Sequence, residues 1–206
     1  MALLKMDSKE RILNILLGLS LIYWSIAGFY AAYSTAQITR IAILISLLNL
    51  TVGLLIIFRM PLIKAATSTA LLISLPAFIA AGLLFKLAKP ALEWTYTAET
   101  IFIAGGVITI LSFLFLGKSF AILPGMRIVV SKGMYRLVRH PAYLGESLMV
   151  IACLISAENY WSILVFALFV PGIILRIRAE ENLLFKSPYY AQYASRVTRR
   201  LIPFVW

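Results

Sequence analysis

The sequence predicts an all-α integral membrane protein with about six apolar helices, and three observations support this. Hydrophobic residues make up 62% of the 206 residues and charged residues only 13%, against about 25% charged residues in an average soluble domain. The mean hydropathy is +0.96. The apolar residues form blocks of about 17–25 residues, the length that a helix needs to cross about 30 Å of hydrocarbon.

The apolar blocks predict six segments and a division of the chain into two parts. The segments are expected at 12–33, 41–58, 62–85, 99–116, 141–157 and 160–175. Gly105 and Gly106 would allow a neighbouring helix to approach the fourth segment closely. The last two segments are the shortest and are predicted to form a helical hairpin. Residues 1–116 would therefore hold about four membrane helices, and residues 117–206 a connecting loop, the hairpin and a C-terminal cytosolic segment.

The distribution of Lys and Arg predicts the orientation in the membrane. If the N-terminus is cytoplasmic, 16 of the 19 basic residues lie inside, and Arg40, Lys86 and Lys89 lie outside. This bias indicates an inner or plasma membrane protein with both termini in the cytoplasm. It also explains the net charge of +11 without a nucleic-acid partner. Residues 117–140 and 176–206, which flank the hairpin, would then share the cytoplasmic face.

The single histidine, His140, lies in the stretch GMYRLVRHPAYLG at 133–145. Pro141 fits the first turn of the fifth helix, where its missing N–H has no cost. The free N–H groups that follow it, together with Arg139, would suit an anion or a carboxylate. A hydrogen-bonded residue at a helix start is the commoner role of such a histidine, so His140 alone does not indicate catalysis.

Three further groups of side chains could carry chemistry. Glu146 lies about one turn into the fifth helix, and an ionisable residue inside a membrane segment indicates a functional site. In the stretch RIRAEENLL, Arg176 and Glu180 share a helix face, as do Arg178 and Glu181, although surface ion pairs would also explain them. Tyr189, Tyr190 and Tyr193 form an aromatic cluster, for which an interfacial belt is the alternative.

Several classes of site are absent from the sequence. One histidine and one cysteine, Cys153, cannot supply a usual metal site or an intrachain disulfide. No P-loop, dinucleotide fingerprint or nucleophile elbow is present. The sequence also offers no serine or cysteine nucleophile with a base next to it.

Taken together, the motifs identify a resemblance over about residues 116–204. LGKSFAILP, SKGMYRLVRHPAYLGE, RIRAEENLL, YYAQY and RLIP resemble the isoprenylcysteine carboxyl methyltransferase family, in particular its smaller prokaryotic members. That family is broadly related to the phospholipid N-methyltransferases. The resemblance implies S-adenosylmethionine as the methyl donor, bound between the hairpin and the C-terminal segment, with S-adenosylhomocysteine as product.

The resemblance also implies the cofactor-binding residues. Those predicted are Arg139, His140, Pro141, Tyr143, Leu144 and Gly145 of the R-H-P-x-Y-x-G motif, Glu180 and Glu181 of the E-E pair, and Tyr190 and Tyr193 of the Y-x-x-Y motif.

The acceptor is expected to be a lipophilic small molecule or a prenylated substrate that arrives from the membrane lipids. A carboxylate is already nucleophilic, and Arg176 or Arg178 could hold it. An amine would need a proton acceptor, for which His140 and Glu146 are the candidates. A nicotinamide-dependent membrane reductase of related architecture and a non-catalytic scaffold stay open as alternatives.

Overall fold

The computed structural model describes residues 6–122, 124–202 and 206. Lys5, which contributes to the charge bias, and Leu123 and Pro203, which belong to two of the motifs, lie outside the described residues.

Each of the six predicted segments contains a helix. The helices are α1 (Ser8–Ser34), α2 (Arg40–Phe58), α3 (Ser68–Leu87), α4 (Tyr96–Leu116), α5 (Pro141–Ser156) and α6 (Tyr160–Leu184), followed by the short α7 (Pro188–Arg196). The side chains of Thr39, Thr67, Thr95 and Asn159 cap the starts of α2, α3, α4 and α6. Each cap satisfies a backbone N–H that has no partner within its own helix. Among the described residues, five helices are long and apolar enough to cross a membrane, whereas α5 has only 16 residues.

Two predicted boundaries are wrong. The third helix begins at Ser68 rather than at 62, because residues 64–65 form a short strand, β1, that pairs antiparallel with β2 (Gly125–Met126). The sixth helix continues past 175 to Leu184, because RIRAEENLL consists mostly of good helix formers. The charged residues of this stretch therefore extend the membrane helix itself.

Helices α5 and α6, which the sequence predicts as a hairpin, follow one another across the short connection 157–159, but each packs mainly against another helix. Helices α5 and α6 touch at few positions, and α5 packs along α4 while α6 packs along α3. Glycine allows α5 to pack along α4. A Cβ at Gly105 of α4 would lie only 2.9 Å from the Cβ of Leu148 of α5, too close for two carbon atoms. Without side chains at Gly105 and Gly145, the backbones of α4 and α5 approach closely, as expected for helices in lipid. Helix α2 packs on α1 and α4 rather than along α3.

One end of the bundle, called the site end below, brings together the ends of α2, α4 and α6 and the starts of α1, α3 and α5. The Met60 N–H donates to the carbonyl of Lys118 at 2.8 Å, and Arg59 Nη2 donates to Asn14 at 2.5 Å. The N–H of Arg139 donates to the carbonyl of Arg199 at 2.9 Å. The six helices therefore alternate in direction, and Asn14 and Arg199 lie at the same end of the bundle.

The opposite end of the bundle carries ion pairs. Arg40 lies 2.5 Å from Glu99, and Lys89 pairs with Glu158. Two of the three cations predicted on the outer side are therefore balanced by acids, which increases the difference in charge between the two ends.

Candidate active site

A cavity of about 380 Å³ extends from the site end into the bundle, within the range of about 300–1,000 Å³ typical of small-molecule sites. Its polar end is lined by Tyr135, Arg139, His140, Glu180, Tyr190 and Tyr193. Its apolar end is lined by Leu48, Val52, Phe78, Phe113, Phe120 and Met149. Leu48 and Phe78 each lie ten residues from the site end of their helices, which is about 15 Å into the bundle.

A buried carboxylate, Glu181, joins three segments behind the polar end. It is 3% exposed, and the Nε atom of Arg200 donates to its Oε2 at 2.7 Å. Its Oε1 lies 3.3 Å from His140 Nε2 and accepts from the Tyr190 hydroxyl at 3.4 Å. Arg139 Nε lies 3.1 Å from the same oxygen, an ion pair whose angle is not that of a hydrogen bond. Glu181 thus holds the start of α5, the end of α6 and the C-terminal segment together.

Backbone hydrogen bonds reinforce this junction. The N–H groups of Arg139 and His140 donate to the carbonyls of Arg199 and Arg200 at 2.9 and 2.8 Å. The segment before α5 is therefore fixed against the C-terminal segment, which orients the Arg139 and His140 side chains at the cavity wall.

The neighbouring Glu180 has a different environment. It lines the cavity and accepts a hydrogen bond from the Tyr143 hydroxyl through Oε2. The Tyr143 ring stacks on the His140 ring, with centroids 5.5 Å apart and planes inclined by 12°. Within the described part of the chain, Glu180 Oε1 has no hydrogen-bond partner. Glu180 therefore offers a carboxylate oxygen to the cavity.

A second buried ion pair lies between the polar and apolar ends. Arg176 Nη1 donates to both carboxylate oxygens of Glu146 at 3.2 and 3.1 Å, and its Nη2 donates to the carbonyl of Ile122 at 3.2 Å. The guanidinium carbon lies 3.6 Å from the Phe78 ring centroid and 4.4 Å from that of Tyr143. Arg176 is therefore a cation held in a fixed position, and its buried Nε–H has no hydrogen-bond acceptor among the described residues.

The tyrosines of the polar end are neutral hydrogen-bond donors. The Tyr193 hydroxyl donates to the carbonyl of Tyr135 at 2.7 Å, and the Tyr190 and Tyr193 rings meet edge to face with centroids 5.6 Å apart. Burial raises the pKa of all three phenols above the usual value. Their hydroxyls consequently stay protonated, and their ring faces provide electron-rich surface for a cation.

The structure brings together most of the predicted site residues. Those that line the cavity are Arg139, His140, Tyr143, Glu146, Arg176, Glu180, Tyr190 and Tyr193. Pro141, Leu144, Gly145 and Glu181 are not among its lining residues. Pro141 is buried in the first turn of α5, Leu144 packs against the hydrophobic core, and a Cβ at Gly145 would meet Thr109 and Gly105 of α4.

Arg178 is not brought to the cavity. Its side chain is exposed and lies in a separate groove between α3 and α6. One turn of helix has about 3.6 residues, so positions 176 and 178 point about 200° apart. Of these two arginines, the structure therefore brings Arg176, and not Arg178, to the cavity.

Arg127, which no sequence motif singles out, also lines the cavity. It is 5% exposed, and its Nε donates to the carbonyl of Met60 at 2.8 Å. Burial, with the nearby Arg59, lowers its pKa to about 10. A charged residue between Met126 and the apolar Ile128–Val130 was the available signal, but it belongs to no motif.

A comparison with protein families supports a methyltransferase. Residues 94–192 match the model of the phospholipid methyltransferase family. This region is similar to the phospholipid methyltransferases. It runs from just before α4 into α7 and contains most of the residues of the polar end. The predicted relation to these methyltransferases is confirmed at this broad level, and the narrower resemblance stays a prediction. No curated protein and no solved structure matches the chain at a significant level.

The phospholipid methyltransferase match and the five apolar helices together indicate a membrane methyltransferase. The polar end, where Arg139, Glu180 and Tyr190 meet, lies within the matched region. The apolar residues of α2 and α3 lie outside it.

Proposed function

We propose that the protein is an integral membrane methyltransferase that uses S-adenosylmethionine to methylate a lipophilic acceptor, with a carboxylate as the preferred acceptor group. The observation that supports this best is the cavity itself. It combines a polar, motif-bearing end with an apolar end inside the bundle, and Arg176 lies between them.

The residues of the polar end fit the cofactor. Arg139, at the start of α5, suits the carboxylate of the methionine moiety. Glu180, one of whose oxygens has no hydrogen-bond partner among the described residues, suits its ammonium group or the ribose hydroxyls. The faces of Tyr190 and Tyr193 suit a sulfonium cation, an attraction worth about 0.5–2 kcal/mol. When bound, S-adenosylmethionine supplies an electrophilic methyl group on a positively charged sulfur.

The acceptor group would lie beside Arg176. Because α2 does not pack along α3, an apolar chain could reach Leu48, Val52 and Phe78 from the bilayer. Arg176 lines the cavity and Glu146 fixes its guanidinium in place, so its charge could hold a carboxylate, which is nucleophilic without losing a proton. The contribution of the protein is then to position the carboxylate and exclude water.

Amine methylation is the second candidate, because the matched family is that of phospholipid methyltransferases. An amine must lose a proton, and Glu146 is the carboxylate that lies between the two ends of the cavity. His140 is less suited to this role, since its Nε2 faces Glu181 and its ring is stacked on Tyr143.

The proposed orientation places both termini in the cytoplasm. Cationic residues concentrated at the site end support it, together with the ion pairs at the other end. Cys153 is buried, so a Ser131→Cys variant carries one accessible thiol. A membrane-impermeant maleimide should label this thiol in inside-out vesicles, and labelling from the outside would reverse the orientation.

Labelled S-adenosylmethionine tests the function directly. Membranes that contain the protein should transfer the labelled methyl group to a lipid that mass spectrometry can identify. A methyl ester releases the label as methanol in mild base, whereas an N-methyl group retains it. Release of the label supports the carboxylate, and retention supports the amine. Transfer no greater than in membranes without the protein would contradict the proposed methyltransferase.

A further inference from the structure

A second cavity of about 440 Å³ lies between the start of α3 and the end of α6. Its lining residues do not overlap with those of the candidate active site. It is therefore a separate groove at the site end, and no step of the proposed reaction uses it.

The part of the groove nearest the helix ends is cationic and rich in hydrogen-bond donors. Arg178 and Lys186 line it together with the amide of Asn182 and the hydroxyls of Thr67 and Thr69. No acidic residue is among its described lining residues, and neither Arg178 nor Lys186 has an ion-pair partner in the described part of the chain. This end of the groove thus has a net positive charge.

The groove becomes apolar further into the bundle. Ile73 lies six residues beyond Thr67 along α3, about 9 Å deeper, and Leu175 lies almost one turn deeper than Arg178 along α6. Ile73 is 37% and Leu175 47% exposed. Such exposed apolar side chains on membrane-crossing helices are expected to face lipid chains. The groove therefore changes from polar to apolar in the direction in which a phospholipid does.

We propose that this groove binds the phosphate group of an anionic phospholipid, with an acyl chain along Ile73 and Leu175. A guanidinium can donate two parallel hydrogen bonds to phosphate oxygens, and an ammonium adds a point charge. Basic pockets between membrane helices suit acidic lipid headgroups in this way. Arg178, one of the two arginines that the sequence offered for an acceptor carboxylate, would then belong to a lipid site.

Binding of a fluorescent phosphatidylglycerol to the purified full-length protein in detergent micelles tests the proposal. The R178Q/K186Q variant should bind it about 30-fold more weakly than the original protein, given the usual contribution of each of the two basic residues near an anionic lipid surface. The K132Q/R136Q variant is the matched control. It removes the same charge from exposed residues at the same end of the bundle, outside the groove, and should keep its affinity within about twofold.

The charge-retaining R178K/K186R variant and two competitors complete the test. This variant should bind with near-original affinity, which shows that loss in R178Q/K186Q reflects charge rather than misfolding. Unlabelled phosphatidylglycerol should displace the probe, and inorganic phosphate should not. Unchanged binding in R178Q/K186Q, or an equal loss in K132Q/R136Q, would overturn the proposal. If inorganic phosphate displaced the probe and unlabelled phosphatidylglycerol did not, the assignment to a lipid would be overturned.

Discussion

The two ends of the candidate active-site cavity differ in how their sequence relates to their structure. The polar end is a network of Arg139, His140, Glu180 and the tyrosines, in which most polar atoms have a specific partner. The apolar end is formed by side chains such as Leu48, Val52 and Phe78, which need only the right size and polarity. Recognition by directed donors and charges leaves a motif in the sequence, whereas recognition by shape does not.

A second comparison lies within the polar end. Glu180 and Glu181 are neighbours in the sequence, but their side chains point about 100° apart on a helix. Glu181 is enclosed by Arg139, His140 and Arg200, and Glu180 faces the cavity. We therefore expect Glu181 to contribute to folding and Glu180 to ligand binding.

The largest expected effect is the loss of Glu181. Glu181→Ala removes the carboxylate that pairs with Arg139 and Arg200, and leaving the buried Arg139 without its partner costs about 3–5 kcal/mol. We expect a strongly reduced thermal unfolding temperature in detergent, with loss of the polar end as a binding site. Glu181→Gln, which keeps hydrogen-bonding capacity but no charge, should be intermediate. An unchanged unfolding temperature in the alanine variant would mean that Glu181 does not hold the three segments together.

The next effect distinguishes the two arginines of α6. Arg176→Gln removes the cation between the two ends of the cavity and leaves Glu146 without its partner. We expect turnover to fall at least about 30-fold, as for the loss of one partner in a buried charge pair. Calorimetry should show a much smaller change in cofactor affinity.

Arg178→Gln is the matched comparison for this prediction, because it removes the same charge two residues away. Turnover of this variant should stay close to that of the original protein, since Arg178 lies in the separate groove. Equal losses of turnover in the two variants would contradict the special position of Arg176.

A smaller effect is expected for Glu180. Glu180→Gln keeps the shape of the side chain but removes its charge, and a hydrogen bond to a charged group contributes about 1.5–3 kcal/mol. Cofactor affinity measured by calorimetry should fall about tenfold or more, while the unfolding temperature stays within a few degrees. The combination is the opposite of that expected for Glu181→Ala. A lower unfolding temperature with unchanged cofactor affinity in Glu180→Gln would mean that Glu180 contributes to folding rather than to cofactor binding.

The sequence was informative about the helices and about the polar end. Apolar segment length predicts the helices because the bilayer imposes it. The family resemblance carried by R-H-P-x-Y-x-G and E-E pointed to Arg139, His140, Tyr143 and Glu180, which the fold brings to one cavity. The pairing of α5 with α4 was not predictable from segment order, since it depends on Gly105 and Gly145 meeting across two helices. Arg127 and the residues of α2 and α3 come to the cavity through tertiary packing, which no local pattern encodes.

The smallest expected effect tests the apolar end, for which the sequence has no motif. Leu48→Trp places a large ring in the apolar end of the cavity, where it would compete with the acyl or prenyl chain of the acceptor. We expect the KM for the acceptor to rise several-fold, since losing the burial of one or two methylene groups costs about 0.8 kcal/mol each. Cofactor affinity should be unchanged, because the polar end is untouched.

Leu47→Trp is the control for Leu48→Trp, since it adds the same ring one position away on α2. Leu47 is 49% exposed and does not line the cavity, so its ring would face lipid and leave the KM unchanged. A rise in KM for Leu48→Trp alone would show that the acceptor chain occupies the apolar end. Equal KM values in both variants would mean that the acceptor reaches Arg176 by another path, and that the apolar end is only a gap between helices.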